Sequence, residues 1–263
     1  MTQPKTRAKR RGLIFLFHDR DGVVDDSVVR VLKGLKEHTD FQCVVSNGLL
    51  KGESRLRLES LVDVVFEREN IGFDVGAYKF AFDLLGWDFV SSLEELVLAN
   101  STFFGPVTTF DALFTSMGEQ NVDFWGITDH REVTPHPYLG KGTMPRHLQS
   151  YWLTIGPRML KSGSFREYWE SLPLPRTYSE VVVGFETKFT QHFEGQGFTW
   201  ACAFPAEAYG VDNPSMESPV ALLQDGCPVF KKRLYFHDVP WLAQNGVFPG
   251  AVTSFAGGLG YPK

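Results

Sequence analysis

The sequence predicts an α/β fold in a single domain, built on a mostly parallel central sheet flanked by helices. Three features point there: short apolar runs of strand length that end in polar clusters, an amphipathic helical segment directly after the first run, and the strand–helix–strand order that results. Leu13 to Phe17 is continuously apolar between Gly12 and the polar cluster His18 to Asp21, the pattern of a buried strand running into a loop. Val28, Val31, Leu32 and Leu35 then fall at i, i+3, i+4 and i+7, one face of a helix that Asp25 or Asp26 can cap. Phe41 to Val45 predicts a second strand, stopped by Ser46-Asn47-Gly48, and Val62 to Phe66 a third. Arg68 to Gly76 reads as a glycine-punctuated loop delivering the chain to a helix over Val75 to Leu85, with Asp74 as its N-cap.

Leu93 to Ala99 predicts the next strand, broken at Asn100-Ser101-Thr102 and stopped by Gly105-Pro106. Phe110 to Met117 should form a short helix and Phe124 to Thr128 a strand. Thr134 to Pro145, rich in Pro and Gly, reads as a mobile loop long enough to carry function. A strand over Gln149 to Ile155 follows, then helical segments at Ser164 to Ser171 and Val183 to Glu194. Beyond Asn213-Pro214 the periodicity weakens, and the tail from Gly246 is expected to be irregular. The divisions expected are a basic, flexible arm over 1–11, the domain over 12–245 and a Gly/Pro-rich tail over 246–263.

A chain of 263 residues with 43% apolar and 22% charged residues can bury one sizeable core. Its net charge of -5 argues against nucleic acid as a partner, because phosphate neutralisation needs a basic field. Cys43, Cys202 and Cys227 are odd in number and far apart, which suggests neither a disulfide framework nor a zinc site and fits a reducing cytoplasm. Neither a membrane-spanning run nor the apolar core of a signal peptide is apparent. Lys5, Arg7, Lys9, Arg10 and Arg11 form either a solvated arm or a peripheral contact with anionic lipid at the inner membrane face.

In open parallel sheets, ligands gather outside the carboxyl ends of the strands. Four polar clusters fall there: His18 to Asp21, Ser46 to Gly48, Asn70 to Asp74, and Asn100 to Thr102. The second ends the strand Phe41 to Val45, and the third opens a helix whose free N–H groups and dipole can hold a pyrophosphate, unless they serve only as a cap. Lys79, one turn in, can add a cationic contact or simply be solvated. Glu186 can deprotonate an acceptor hydroxyl or complement a helix dipole, and Asp129-His130 offers an alternative base. His237, near Lys231, Lys232 and Arg233, can reach a diphosphate.

A rival pattern exists. His18-Asp19-Arg20-Asp21-Gly22 after a strand resembles the DxDG opening of haloacid dehalogenase-type phosphatases, with Val44-Val45-Ser46-Asn47 like their second motif. Asp19 would then be the nucleophile and Asp21 an acid/base, with Lys231 and Asp238 completing the site. Asp238 stands alone where such enzymes carry an acidic pair for magnesium, and His18 replaces the usual apolar residue.

As a set, Val45-Ser46-Asn47, RENIGFDVGAYKFAF (68–82), ANSTFFGP (99–106), VDFWGITDHRE (122–132), RHLQSYWLTIG (146–156), SGSFREYWESL (162–172), VVVGFETKFTQHFEGQGF (181–198) and DGCPVFKKRLY (225–235) resemble the rhamnan synthesis protein F family of bacterial polysaccharide glycosyltransferases. The resemblance implies a GT-A-like, Rossmann-like fold and an inverting hexosyltransferase of surface polysaccharide synthesis. It implies dTDP-rhamnose as donor and a lipid-linked oligosaccharide as acceptor. Carried over, His18, Ser46, Asn70, Gly72, Asp74, Lys79, Asn100 and Ser101 frame the donor; His147, Gln149 and Ser150 lie toward the acceptor with Asp129 and His130; Glu186 is the base. GT-A enzymes carry an acidic pair for Mg2+ or Mn2+ where this chain has Asn100-Ser101-Thr102, so the reaction is either metal-assisted or metal-independent. Those absent carboxylates also leave open a non-catalytic glycan-assembly subunit, and Val75-Gly76 and Tyr78 depart from the family pattern.

Overall fold

Strand β1 (Arg11–Phe17) lies between β2 (Phe41–Asn47) and β4 (Glu95–Asn100), parallel to both, and β2 pairs in parallel with β3 (Val64–Arg68). This computed structural model describes residues 10–236 and 249–261. Beyond β4 comes β8 (Trp152–Ile155), antiparallel both to β4 and to β6 (Phe124–His130). The two-residue β7 (His147–Leu148) shares that edge of β6, and β9 (Trp200–Phe204) runs parallel to β6 on its other side. Strands β1, β2, β3, β4, β6 and β9 thus point one way and β7 and β8 the other, the mostly parallel central sheet of an α/β fold.

Period-two burial fixes the register of β1. Leu13, Phe15 and Phe17 face one hydrophobic cluster with Val28, Val31, Leu32 and Leu35 of helix α1 (Asp26–Lys36). Ile14 and Leu16 face a second cluster, with Ala77, Tyr78, Ala81 and Phe82 of helix α3 (Phe73–Leu85) and Phe165, Trp169, Phe185 and Phe189 beyond. Each large side chain buried this way contributes about 1.5–3 kcal/mol, so a one-residue slip of β1 would cost several such terms. Asp25, rather than Asp26, caps α1, its carboxylate accepting from Val28 N at 3.0 Å. Helix α2 (Gly52–Glu59) and β9 were not expected, for neither carries a clean period.

Several expectations change in three dimensions. Helix α3 begins at Phe73 behind Gly72, both with positive φ (48° and 80°), so Asp74 lies inside the first turn instead of capping it. Gly76 is there because a Cβ would come within 2.1 Å of the Ile71 carbonyl. The helical segment over Val183 to Glu194 is part of a longer run: a turn at Tyr178–Val181, a π-helical turn at Val182–Glu186, and a helix at Thr187–Glu194. Glu186 therefore ends the π turn and does not open a helix. Gln149 to Tyr151 leave the strand predicted over Gln149 to Ile155. Pairing between β6 and the antiparallel chain slips by two residues between Gly126↔Leu153 and Asp129↔Leu148, and the extra backbone bulges outward.

The tail expected to be irregular is helical at Pro249–Gly258, where Val252 and Ala256 join Phe104, Leu234 and Phe230 in a third buried cluster. Arg11, expected in the flexible arm, opens β1 and pairs with Glu95 at 2.5 Å, while the Arg10 backbone N–H donates to Glu94. Residues 1–9, His237 and Asp238 lie outside the described residues. Among the described residues no helix is long and apolar enough to cross a membrane.

Candidate active site

Sheet order reverses direction between β1 and β4, where neighbouring crossovers leave a crevice at the carboxyl ends of the strands. A cleft of about 1070 Å³ opens there, lined by His18 after β1, Asn47 at the end of β2, Asn70 and Asp74 around the start of α3, and Asn100-Ser101-Thr102 after β4. The two halves expected to hold a diphosphate meet directly: Asn100 Nδ2 donates to Asp74 Oδ2 at 2.7 Å. Asn100 Oδ1 accepts from Thr102 N at 3.1 Å and from Thr102 Oγ1, which closes the corner.

The start of α3 is held from behind. Asn47 Nδ2 donates to the Phe73 carbonyl at 3.0 Å, and Arg68 donates to Asn47 Oδ1 and the Ile71 carbonyl. This bracing offsets the left-handed backbone at Phe73, a conformation that costs about 1–3 kcal/mol in a non-glycine residue.

Across the cleft, Glu186 is fixed by the bulge in the β6 ladder. Its Oε2 accepts from both Ser150 N at 2.9 Å and Ser150 Oγ at 2.5 Å, and no described hydrogen bond engages Oε1. The π turn supplies the extra residue that swings Glu186 toward Ser150. His147 and His130 stack beside it, ring centroids 5.5 Å apart. His147 Nδ1 bonds the Pro145 carbonyl and His18 Nδ1 the Asn47 carbonyl, contacts in which the nitrogen must donate; a neutral His147 ring then presents Nε2 as an acceptor. Burial holds His147 below the usual imidazole pKa, partly countered by Glu186.

Lys231, Lys232 and Arg233 form the third wall. Strand β10 (Phe230–Lys231) pairs antiparallel with β5 (Phe103–Phe104), placing Lys231 opposite Phe103, and Lys232 N donates to the Thr102 carbonyl at 2.9 Å. Burial pushes the Lys231 ammonium down to about 8 despite Glu186 and Asp74 nearby. It also pushes the Asp74 carboxyl up to about 6, assisted by Glu186 and opposed by the Asn100 hydrogen bond and Lys231.

That shift has a measurable consequence. A carboxyl with a higher pKa folded (about 6) than free (3.8) binds more protons in the folded state between those values, so stability falls as pH rises through that window and stays lower above it. Asp74→Asn removes the ionisation. It is expected to raise Tm at pH 7.5, leave it unchanged near pH 3.5, and flatten the pH dependence between; part of Asp74 faces the cleft, so the gain is a few degrees at most. Equal Tm changes at both pH values would contradict this.

Of the residues singled out in the sequence, His18, Asn70, Asp74, Asn100, Ser101, His130, His147, Gln149, Ser150 and Glu186 all line this one cleft. Four do not. Ser46 is buried and donates to the Gly48 carbonyl. Gly72 shapes the turn against Leu174, and Lys79 donates to the Glu170 and Leu172 carbonyls at the end of the helix Gly163–Ser171. Asp129 is wholly buried, accepting from Ala206 N and pairing with Arg146 at 2.6 Å, so it pins β6 and lies off the cleft lining. Asp19 Oδ1 accepts from the backbone N–H groups of Asp21 and Val23, both at 2.9 Å, which makes it the brace of its own loop rather than a phosphatase nucleophile facing the cleft.

Other lining residues escaped the sequence reading. Tyr138, in the long loop, and Tyr178, before the π turn, pair at the cleft mouth with ring centroids 6.4 Å apart. Tyr151 sits at its floor, its hydroxyl 2.7 Å from Thr128 Oγ1. Only the length and the Pro- and Gly-rich composition of that loop hinted at the first, and nothing hinted at the other two.

Residues 42–249 match the model of the family described as rhamnan synthesis protein F. The uncharacterized protein y4gN of Sinorhizobium fredii is 27% identical over 157 residues, 59% of this chain and 38% of its own length. Virulence protein VirA of Vibrio anguillarum is 26% identical over 169 residues, 60% of this chain and 49% of its own length. The chain thus spans less than half the length of these curated relatives. Among solved structures, a 4-diphosphocytidyl-2C-methyl-D-erythritol synthase from Anaerococcus prevotii aligns with a TM-score of 0.45 at 10% identity, covering 75% of this chain and 89% of its own. The mannosyltransferase Ktr4p from S. cerevisiae aligns at 0.35 and 10% identity, covering 68% and 62%. Because the family match takes in both cleft walls, from β2 past the Lys231–Arg233 run, the chain belongs to the rhamnan synthesis protein F family.

Proposed function

We propose that this protein is a glycosyltransferase of bacterial polysaccharide synthesis, moving rhamnose from dTDP-rhamnose to a lipid-linked glycan at the cytoplasmic face of the membrane. The observation that carries the reading is the opposition, across one cleft, of the Asp74–Asn100 corner and a carboxylate at Glu186 held through Oε2 by Ser150, with no hydrogen bond to Oε1 among the described residues. Family membership supports the substrate class.

In this reading the nucleotide diphosphate lies between the start of α3, the corner after β4 and the basic wall. The acceptor enters past Tyr138 and Tyr178. Its hydroxyl proton passes to Glu186 Oε1 as the hydroxyl oxygen bonds to the sugar C1; the bond from C1 to the diphosphate oxygen breaks, and its electron pair leaves with the nucleotide. One displacement inverts the anomeric centre. A positioned base of this kind contributes about 10²- to 10⁴-fold to the rate.

Nucleotide release measured over dTDP-, UDP- and GDP-sugars, with a glycolipid fraction as acceptor, tests it. Fastest turnover is expected with dTDP-rhamnose. Preference for another donor would remove the rhamnose assignment, and no release from any donor would remove the transferase reading in favour of a non-catalytic assembly role.

A further inference from the structure

A divalent ion at the corner after β4 would need hard oxygen ligands, chiefly carboxylates. The described residues there do not fit one. Both ends of the Asn100 amide are already engaged, Thr102 Oγ1 donates to Asn100, and among the described residues Asp74 is the only carboxylate at the contact. Among the described residues no group of three or more His, Cys, Asp or Glu is placed to hold a metal ion. An ammonium occupies the neighbourhood instead: Lys231 Nζ lies 3.3 Å from Thr102 Oγ1 and 3.9 Å from the centroid of the Tyr151 ring.

This cation is built in, not incidental. The β5–β10 ribbon clamps a segment some 130 positions away in the chain onto the corner, and Phe230 and Leu234, on either side of Lys231-Lys232-Arg233, are buried in the third cluster with Phe104 and Val252. Lys231 and Arg233 face the cleft. Lys232 does too, though Asp25 lies 3.8 Å from its Nζ and offsets part of its charge. The local negative groups, Asp74 and Glu186, both act on Lys231, but they are two carboxylates against three basic side chains on the wall.

We propose that Lys231, supported by Arg233, takes the place of a divalent cation, so that the donor diphosphate binds and departs without metal. The inference rests on the glycosyltransferase reading. As the C1–O bond breaks, the diphosphate gains one negative charge; the Lys231 ammonium meets it as a hydrogen-bond donor and keeps its proton, so no metal or further proton source enters the balance. Fixed positive charge of this kind stabilises a leaving group as it develops.

Calorimetric titration of the whole protein with dTDP, UDP and GDP, in EDTA and then in Mn2+ or Mg2+, tests this. Affinity for the preferred nucleotide is expected to agree within about twofold in EDTA and metal, and Lys231→Met to weaken it at least about tenfold, the loss of one charge-assisted contact. Arg233→Gln, at an exposed position, should weaken it less, and Lys231→Arg should retain part of it. Melting curves accompany each variant. Binding that appears only with the metal, or that Lys231→Met leaves unchanged, would overturn the inference while leaving the transferase reading intact. No binding of any nucleotide under either condition would overturn both. Should Lys231→Met fail to fold, the EDTA comparison and Arg233→Gln still decide, since metal-dependent binding or an indifferent Arg233→Gln would each count against the basic wall.

Discussion

Glu186→Gln is expected to lower kcat for sugar transfer by about 10²- to 10⁴-fold while leaving nucleotide affinity nearly unchanged. Gln is nearly isosteric, and its carbonyl oxygen can still accept from Ser150 N and Oγ, so the π turn and the bulge in the β6 ladder keep their mutual fit. What disappears is the basic oxygen facing the acceptor. Uniform binding of donor should survive, because the contacts assigned to the diphosphate lie across the cleft at Asp74, Asn100 and the basic wall. Ser150→Ala offers the graded control: it removes the Oγ contact but not the backbone one, and should lower kcat less than Glu186→Gln does. Steady-state rates with a fixed acceptor, beside calorimetric donor affinity, separate the two effects. Transfer by Glu186→Gln at the wild-type rate would mean that another group, such as His147 Nε2, takes the proton.

Asp129→Ala is expected to destabilise the fold by about 2–4 kcal/mol, between the loss of a charge-assisted hydrogen bond and the breaking of a fully buried ion pair. The carboxylate is wholly buried and holds two partners. Its Oδ1 takes the Ala206 N–H at 2.6 Å, and its Oδ2 takes Arg146 Nε at 2.6 Å. Alanine leaves a buried N–H without an acceptor and an arginine, half-exposed and stacked over Trp200 at 5.0 Å, without its counter-charge. Urea denaturation would register the loss as a lower midpoint at unchanged slope. Residual transfer by the fraction that remains folded should stay near wild type per folded molecule. A variant of native stability and no activity would reverse the assignment and return Asp129 to catalysis.

Those two carboxylates show where a chain can be read directly. Both follow recognisable patterns, one in a segment of helical spacing and the other at the end of an apolar strand, yet Glu186 lines the cleft and Asp129 is buried away from it. Polarity after a strand marks a place at the rim of a sheet, but it does not say whether the side chain turns into the cleft or back into the protein. Asp129 turned back because Arg146 and the N–H of Ala206, both remote in sequence, meet it there. Lys79 misled in the same way: a lysine one turn into a helix near a phosphate site can serve the ligand, but here the carbonyls ending the helix Gly163–Ser171 were nearer.

Local sequence determined the parallel block β1 to β4, the faces of α1 and α3, and the positions of Asn70, Asp74 and Asn100 at the strand ends, because hydrophobic period and turn residues act over a few neighbouring positions. Only tertiary structure decided the rest: that Asp74 touches Asn100, that a two-residue bulge hands Ser150 to Glu186, and that β10 lays Lys231 against the corner after β4. Each of these depends on contacts between segments distant in the chain. Such contacts are selected by the packing of whole elements, which no local pattern of residues encodes.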